Sequence, residues 1–281
     1  MSAGEKACGP LSENLALYRQ AIDADASALI RAFLRARAPV FAASGKAAPP
    51  LCEASKMGNV ALVNDMLESQ KDLPAAVLNR CLADAAQSGN LPLVELWLDK
   101  SAYPRAHVAV EKESDSDWIA ALGALAGALV SGNPAVLRRL LEYKLDVNAP
   151  IQEEPVLAWA VERGGGDAAE IVKLLVEARA DVNGRSRQGA TPLFSCLSVP
   201  AAIKPLIAAG ADIEARDQAG NTPLIYGAFG EEMVRELLAN GANPAAVSNN
   251  GDTALQRAEQ SQCKPCAALI EAALKKKADA N

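Results

Sequence analysis

Gly189-Ala-Thr-Pro-Leu193, Gly220-Asn-Thr-Pro-Leu224 and Gly251-Asp-Thr-Ala-Leu255 are one pattern written three times, each copy 31 residues after the last. Anchored on its leucine, the pattern extends along the chain to Leu17, Leu51, Leu82, Leu125, Leu157, Leu193, Leu224 and Leu255. The gaps are 34, 31, 43, 32, 36, 31 and 31 residues, with a mean of 34. A fixed period in the thirties marks a chain of stacked supersecondary units, each burying its face only against its neighbours. Five anchors have Gly or Ala seven residues on: Ala24, Gly58, Gly89, Gly132 and Gly164.

Single residues give each unit a physical logic. Thr191 is placed to cap a helix with its hydroxyl, and Pro192 then sits at the first helical position, where a missing N–H costs nothing. Small residues such as Ala126, Ala160 and Ala228 allow first helices to approach closely. Gly58, Gly89 and Gly132 suit left-handed helix ends. A second helix carries Leu140 and Leu141, Leu174 and Leu175, or Leu237 and Leu238, and Gly210 and Gly241 close it. Polar segments such as 212–221 read as projecting hairpin loops.

The Thr-Pro-Leu starts, the paired leucines and the endings Ala180-Asp-Val-Asn183, Gly210-Ala-Asp-Ile213 and Gly241-Ala-Asn243 resemble the ankyrin-repeat family. The resemblance implies an all-α solenoid of about eight stacked helical hairpins with short β-hairpin-like loops, and a role in binding other proteins. Histidine is usual after Thr-Pro-Leu in that family. Phe194 and Ile225 stand there instead, so its hydrogen-bond network must be absent and apolar packing takes over. The reading makes 1–281 a single solenoid, with a divergent capping repeat at 10–48 and a C-terminal one at 251–281. The 43-residue gap places an insertion loop at 103–118, containing Glu111-Lys-Glu-Ser-Asp-Ser-Asp117 and Trp118. Gly164-Gly-Gly166 lengthens one inter-helix turn, and Lys275-Lys-Lys277 caps the last helix, where cations meet the helix dipole favourably.

Composition agrees with thin layers of small aliphatic residues: half the chain is apolar and only 4% is aromatic. A net charge of −6 disfavours nucleic acid, whose phosphates need clustered Lys and Arg. No apolar run reaches the roughly 20 residues that cross a bilayer, and Met1 to Gln20 lacks a secretory signal's apolar stretch. The expected location is cytoplasmic, or periplasmic if a signal peptide has been removed. Cys52 and Cys81 fall near the anchors of adjacent repeats and are expected to lie close. Cys263-Lys-Pro-Cys266 is a candidate disulfide at the start of the last helix, because zinc would need further ligands and redox catalysis a βαβ setting. Oxidation of both pairs would point to an oxidising compartment.

Catalysis is not expected. The single histidine, His107, lies in the insertion; no His-Glu-x-x-His motif occurs; and Ser44-Gly-Lys46 lacks the earlier glycine of a phosphate loop, with Val40 in its place. No cofactor or metal site is expected. Transferring the family's register puts Trp159 and Tyr226 two residues beyond their anchors, and Glu162, Arg163 and Phe229 five or six beyond, on the concave face. Gln152, Arg187, Arg216, Asp217, Asn249 and Asn250 fall on hairpin tips. The candidate partner-binding set is therefore Trp159, Glu162, Arg163, Arg187, Arg216, Tyr226 and Phe229, with packing between first helices as the competing role for Trp159. The partner is another protein, most concretely a toxin or effector enzyme held by a bacterial inhibitor or immunity protein; an adaptor or scaffold role is the alternative, and a thiol-dependent redox enzyme a more remote one.

Overall fold

Helical hairpins account for the architecture. The computed structural model describes residues 50–69, 73–100, 115–151, 153–163 and 167–279, with backbone alone at 69, 76 and 115–122. Leu17, the capping repeat at 10–48, residues 103–114 of the insertion, Gln152 and Gly164–Gly166 lie outside the described residues. The helices are α1 (Pro50–Lys56), α2 (Val60–Ser69), α3 (Ala75–Ser88), α4 (Leu91–Lys100), α5 (Asp115–Ser131), α6 (Pro134–Leu141), α7 (Val156–Arg163) and α8 (Ala168–Glu177). Two 3-10 segments follow, Pro192–Leu197 and Pro200–Ala202, and then α9 (Ile203–Ala208), α10 (Pro223–Tyr226), α11 (Glu231–Ala239), α12 (Ala254–Gln260) and α13 (Lys264–Asp279). Among the described residues the loops hold only isolated bridges, Ile151 with Glu154 and Val247 with Thr253. Asp115–Trp118, which the sequence places at the end of the insertion loop, form the first turn of α5.

The described residues divide into two compact units, one running from Pro50 to Ser131 with Ala135–Leu145 and the other of Gly132–Pro134 with the described residues from Asp146 to Asp279. In the first, α3 packs on α1 and on α5, while α2 and α4 fold back on α1 and α3. Leu51, Leu82 and Leu125 are buried anchors of this row. The closest approach is made by Gly127, where an added Cβ would stand 2.6 Å from Ala83 O and 2.9 Å from Gln87 N. Ala126, expected to serve that purpose, faces partly outward. Cys52 and Cys81, both fully buried, join α1 to α3 as a disulfide with Cα atoms 4.2 Å apart. Trp97 reaches back from α4, its indole Nε1 donating to Ser55 Oγ at 3.1 Å while Ser55 Oγ donates to Leu51 O at 2.9 Å. A chain of two hydrogen bonds thus satisfies the buried polar atoms of a core tryptophan.

In the second unit, α7, Pro192–Leu197, α10 and α12 stack in sequence order as one row, and α8, α9, α11 and α13 as the other. Leu157, Leu193 and Leu224 are buried, whereas Leu255 is only half-buried, because α12 has a first-row neighbour on one side alone among the described residues. The start of each first-row segment varies. Thr253 forms a full capping box with Gln256, and Thr222 Oγ1 accepts from Ile225 N at 3.4 Å. Thr191 has the extended backbone of a cap but makes no capping bond, and the following segment winds as a 3-10 helix. Its hydroxyl is buried with no partner among the described residues.

The loops of this unit are cross-linked by a repeated set of hydrogen bonds. Asp146, Asp181, Asp212 and Asn243 each accept, through the side chain, from the backbone N–H two residues on. That next residue then reaches into the following repeat: Asn148 Oδ1 accepts from Asp181 N at 2.7 Å, Asn183 Oδ1 from Asp212 N at 2.8 Å and Glu214 Oε1 from Asn243 N at 2.7 Å. Lys277 ends the series, donating from Nζ to Asn243 Oδ1 at 2.7 Å. The hairpin tips add their own rungs, Gln218 N to Gln188 O at 2.9 Å and Asn249 N to Ala219 O at 3.0 Å.

Candidate functional site

The first-row segments of the second unit, stacked in sequence order, carry the candidate strip. Tyr226 ends α10 and Phe229 lies in the turn before α11; they are 46% and 51% exposed. The Tyr226 ring meets the buried Phe194 edge-on, with centroids 5.5 Å apart, an arrangement that aromatic quadrupoles favour. One repeat back, Ser195 Oγ donates to Glu162 Oε1 at 3.0 Å, bridging the 3-10 segment Pro192–Leu197 to α7. Arg163 lies over the Trp159 ring at 4.9 Å from its centroid.

Trp159 and Tyr226 occupy the same register position but do different things. Trp159 is 6% exposed, with the Arg163 guanidinium over its ring. Its indole N–H is buried with no acceptor among the described residues. Glu154 stands near this end of the strip. Burial, and then the negative charge of Glu162, raise its carboxyl above the usual range.

The hairpin tips are more committed to the fold than the sequence indicates. Arg216 donates from Nη1 to Gly220 O at 2.9 Å and to Val247 O at 2.8 Å. Arg185, 31 residues earlier, braces Gly189 O and Arg216 O in the same way. Sequence reasoning missed Arg185; the signal was its equivalence in register to Arg216. Asp217 spends both carboxylate oxygens on Asn221, and Asn249 Nδ2 donates to Gln218 O. Arg187 is exposed and ion-paired with exposed Glu153, an arrangement that contributes little to stability. Asn250 is exposed. Glu162 is thus tied through Ser195 to the segment whose Phe194 meets Tyr226, while Arg216 is held by main-chain carbonyls.

The cysteines among the described residues fall into three environments. Cys52–Cys81 is enclosed, Cys263–Cys266 is a disulfide at the start of α13, and Cys196 is a buried free thiol pushed up to about 12 by burial. No helix among the described residues is long and apolar enough to cross a membrane.

The family model described as "Ankyrin repeats (3 copies)" matches residues 124–217 and 198–281, together more than half of the chain. The chain belongs to the ankyrin-repeat family. Comparison with curated proteins gives no match. Ankyrin repeats are protein-interaction modules, and the matched residues include the whole strip from Trp159 to Phe229.

Proposed function

We propose that this ankyrin-repeat chain is a noncatalytic binding protein whose contact strip centres on Tyr226 and Phe229, flanked by Glu162 and Arg163. Its most concrete role is that of a bacterial inhibitor or immunity protein covering a toxic enzyme. The observation that carries the binding reading is the exposure of two large aromatic side chains three residues apart, Tyr226 edge-on to the buried Phe194 and Phe229 in the turn that follows. Apolar rings of this size held rigidly at the surface are the groups that dominate interface energies. The mixed charge of Glu162 and Arg163 supplies a polar rim. Two disulfides support work in an oxidising compartment, periplasmic rather than cytoplasmic.

The test is affinity capture from the source organism, followed by calorimetric titration of the identified partner. Replacing Tyr226 and Phe229 together by Ala is expected to weaken binding by about tenfold or more, the size of a hot-spot loss, while the melting temperature barely moves. Unchanged affinity in a folded double variant refutes the strip. Inhibition requires that a one-to-one mixture abolish the partner's enzymatic activity; a partner that binds and keeps its activity makes the protein an adaptor.

A further inference from the structure

The two disulfides differ in what a reductant meets. Cys52 and Cys81 are both fully buried between α1 and α3, so attack on either sulfur first requires those helices to part. Cys263 and Cys266 are three residues apart, with Cys263 partly exposed immediately before the 16-residue α13 and Cys266 buried in its first turn. The Cys266 N–H donates to Cys263 Sγ at 3.3 Å, so the sulfur occupies the position of a helix-capping oxygen. Negative charge appearing on Cys263 Sγ after reduction meets that N–H and the positive end of the helix. Pro265, with no N–H to donate, fits the helix's first turn.

We propose that Cys263 and Cys266 form a thiol–disulfide exchange site that accepts two electrons from a dithiol, with Cys263 Sγ as the attacked sulfur. One thiolate of the dithiol attacks Cys263 Sγ. A mixed disulfide forms there, the Cys263–Cys266 bond breaks, and its electron pair leaves on Cys266 Sγ, which takes a proton from water. The second thiolate then attacks the mixed disulfide at the dithiol's own sulfur. The dithiol departs as a cyclic disulfide, oxidised by two electrons, and the Cys263 thiolate is released.

The turn survives this change because backbone hydrogen bonds hold it: Gln262 N to Glu259 O at 2.9 Å, Cys263 N to Ala258 O at 2.9 Å and Ala267 N to Cys263 O at 3.0 Å. The reduced sulfurs therefore stay close, and the pair closes again when it meets a disulfide. A loop of this length also constrains the unfolded chain far less than the 29-residue span of Cys52–Cys81. The site opens without unfolding the stack.

The test uses the full chain, fully oxidised, exposed to dithiothreitol at pH 7 and quenched with an alkylating agent at intervals for peptide mass mapping. Cys263 and Cys266 are expected to be labelled at least about tenfold faster than Cys52 and Cys81, with the helical circular dichroism unchanged. Equal labelling rates, or loss of helix in step with labelling, overturn the proposal. A second measurement assigns the attacked sulfur. In Cys266→Ser, an aromatic disulfide probe is expected to cap Cys263 about tenfold faster in the folded than in the guanidinium-unfolded protein, because the helix end favours the thiolate. A folded-state rate no greater than the unfolded one overturns it. If that variant does not fold, the kinetics of the natural chain alone decide between the two outcomes.

Discussion

Arg179 holds a backbone angle that an L-residue adopts only at a cost. Its φ is 67°, and Lys144 at the equivalent place has φ 53°, while Gly210 and Gly241 reach 93° at theirs. The glycines closing second helices were legible in the sequence because the conformation and the residue type coincide. Arg179 and Lys144 hid the same geometry because their side chains do not announce it. Replacing Arg179 by Gly removes a left-handed penalty of about 1 kcal/mol or more and adds somewhat less unfolded-state entropy, for a net gain near 0.5 kcal/mol. Gly210→Ala is the complementary change: nothing lies within 4 Å of the added Cβ, so it isolates the conformational cost and should lose about 1 kcal/mol. Urea denaturation midpoints check both, and equal midpoints for all three proteins would refute the strain argument. The candidate site shows the same limit. Trp159 and Tyr226 are indistinguishable by register, yet one is 6% exposed with Arg163 over its ring and the other is 46% exposed.

Among the elements, the loops carry more of the cohesion of the second unit than their polarity suggests. Asp181 and Asp212 were recognisable as turn residues, because a short carboxylate bonding two residues on is local chemistry. Their cross-repeat partners were not, since Asn183 or Glu214 finds its acceptor or donor only once the neighbouring loop is in place. Gly220 lies where two tips meet, with φ 74° and space for a Cβ only 2.8 Å from Asn249 N. Gly220→Ala therefore has to displace the Asn249 loop and the rung from Asn249 N to Ala219 O. The expected cost is about 2 kcal/mol, within the range for a strained backbone plus lost hydrogen bonds. Hydrogen exchange should accelerate at the Asn249 amide while amides of α8 keep their protection. Unchanged exchange at Asn249 would mean that the tips are not coupled through this contact.

On the scale of the whole molecule, the period read from Leu51, Leu82, Leu125, Leu157, Leu193 and Leu224 was the most legible feature, because each copy must bury the same residue against the next. Pairings such as Cys52 with Cys81 were legible only as proximity; the bond depends on the angle at which α1 meets α3. Nearest-neighbour stacking also determines how far damage spreads. The disulfide closes a span of 29 residues, for which chain entropy gives a stabilisation of about 3–4 kcal/mol. Replacing both cysteines by Ser removes that constraint inside the first unit and leaves every contact of the second intact. Hydrogen exchange followed by peptide mass analysis should then show faster exchange across α1 to α4, with 192–279 unchanged. A uniform acceleration along the chain would show instead that the protein unfolds as one cooperative body, and that stability gained at any repeat is shared by all of them.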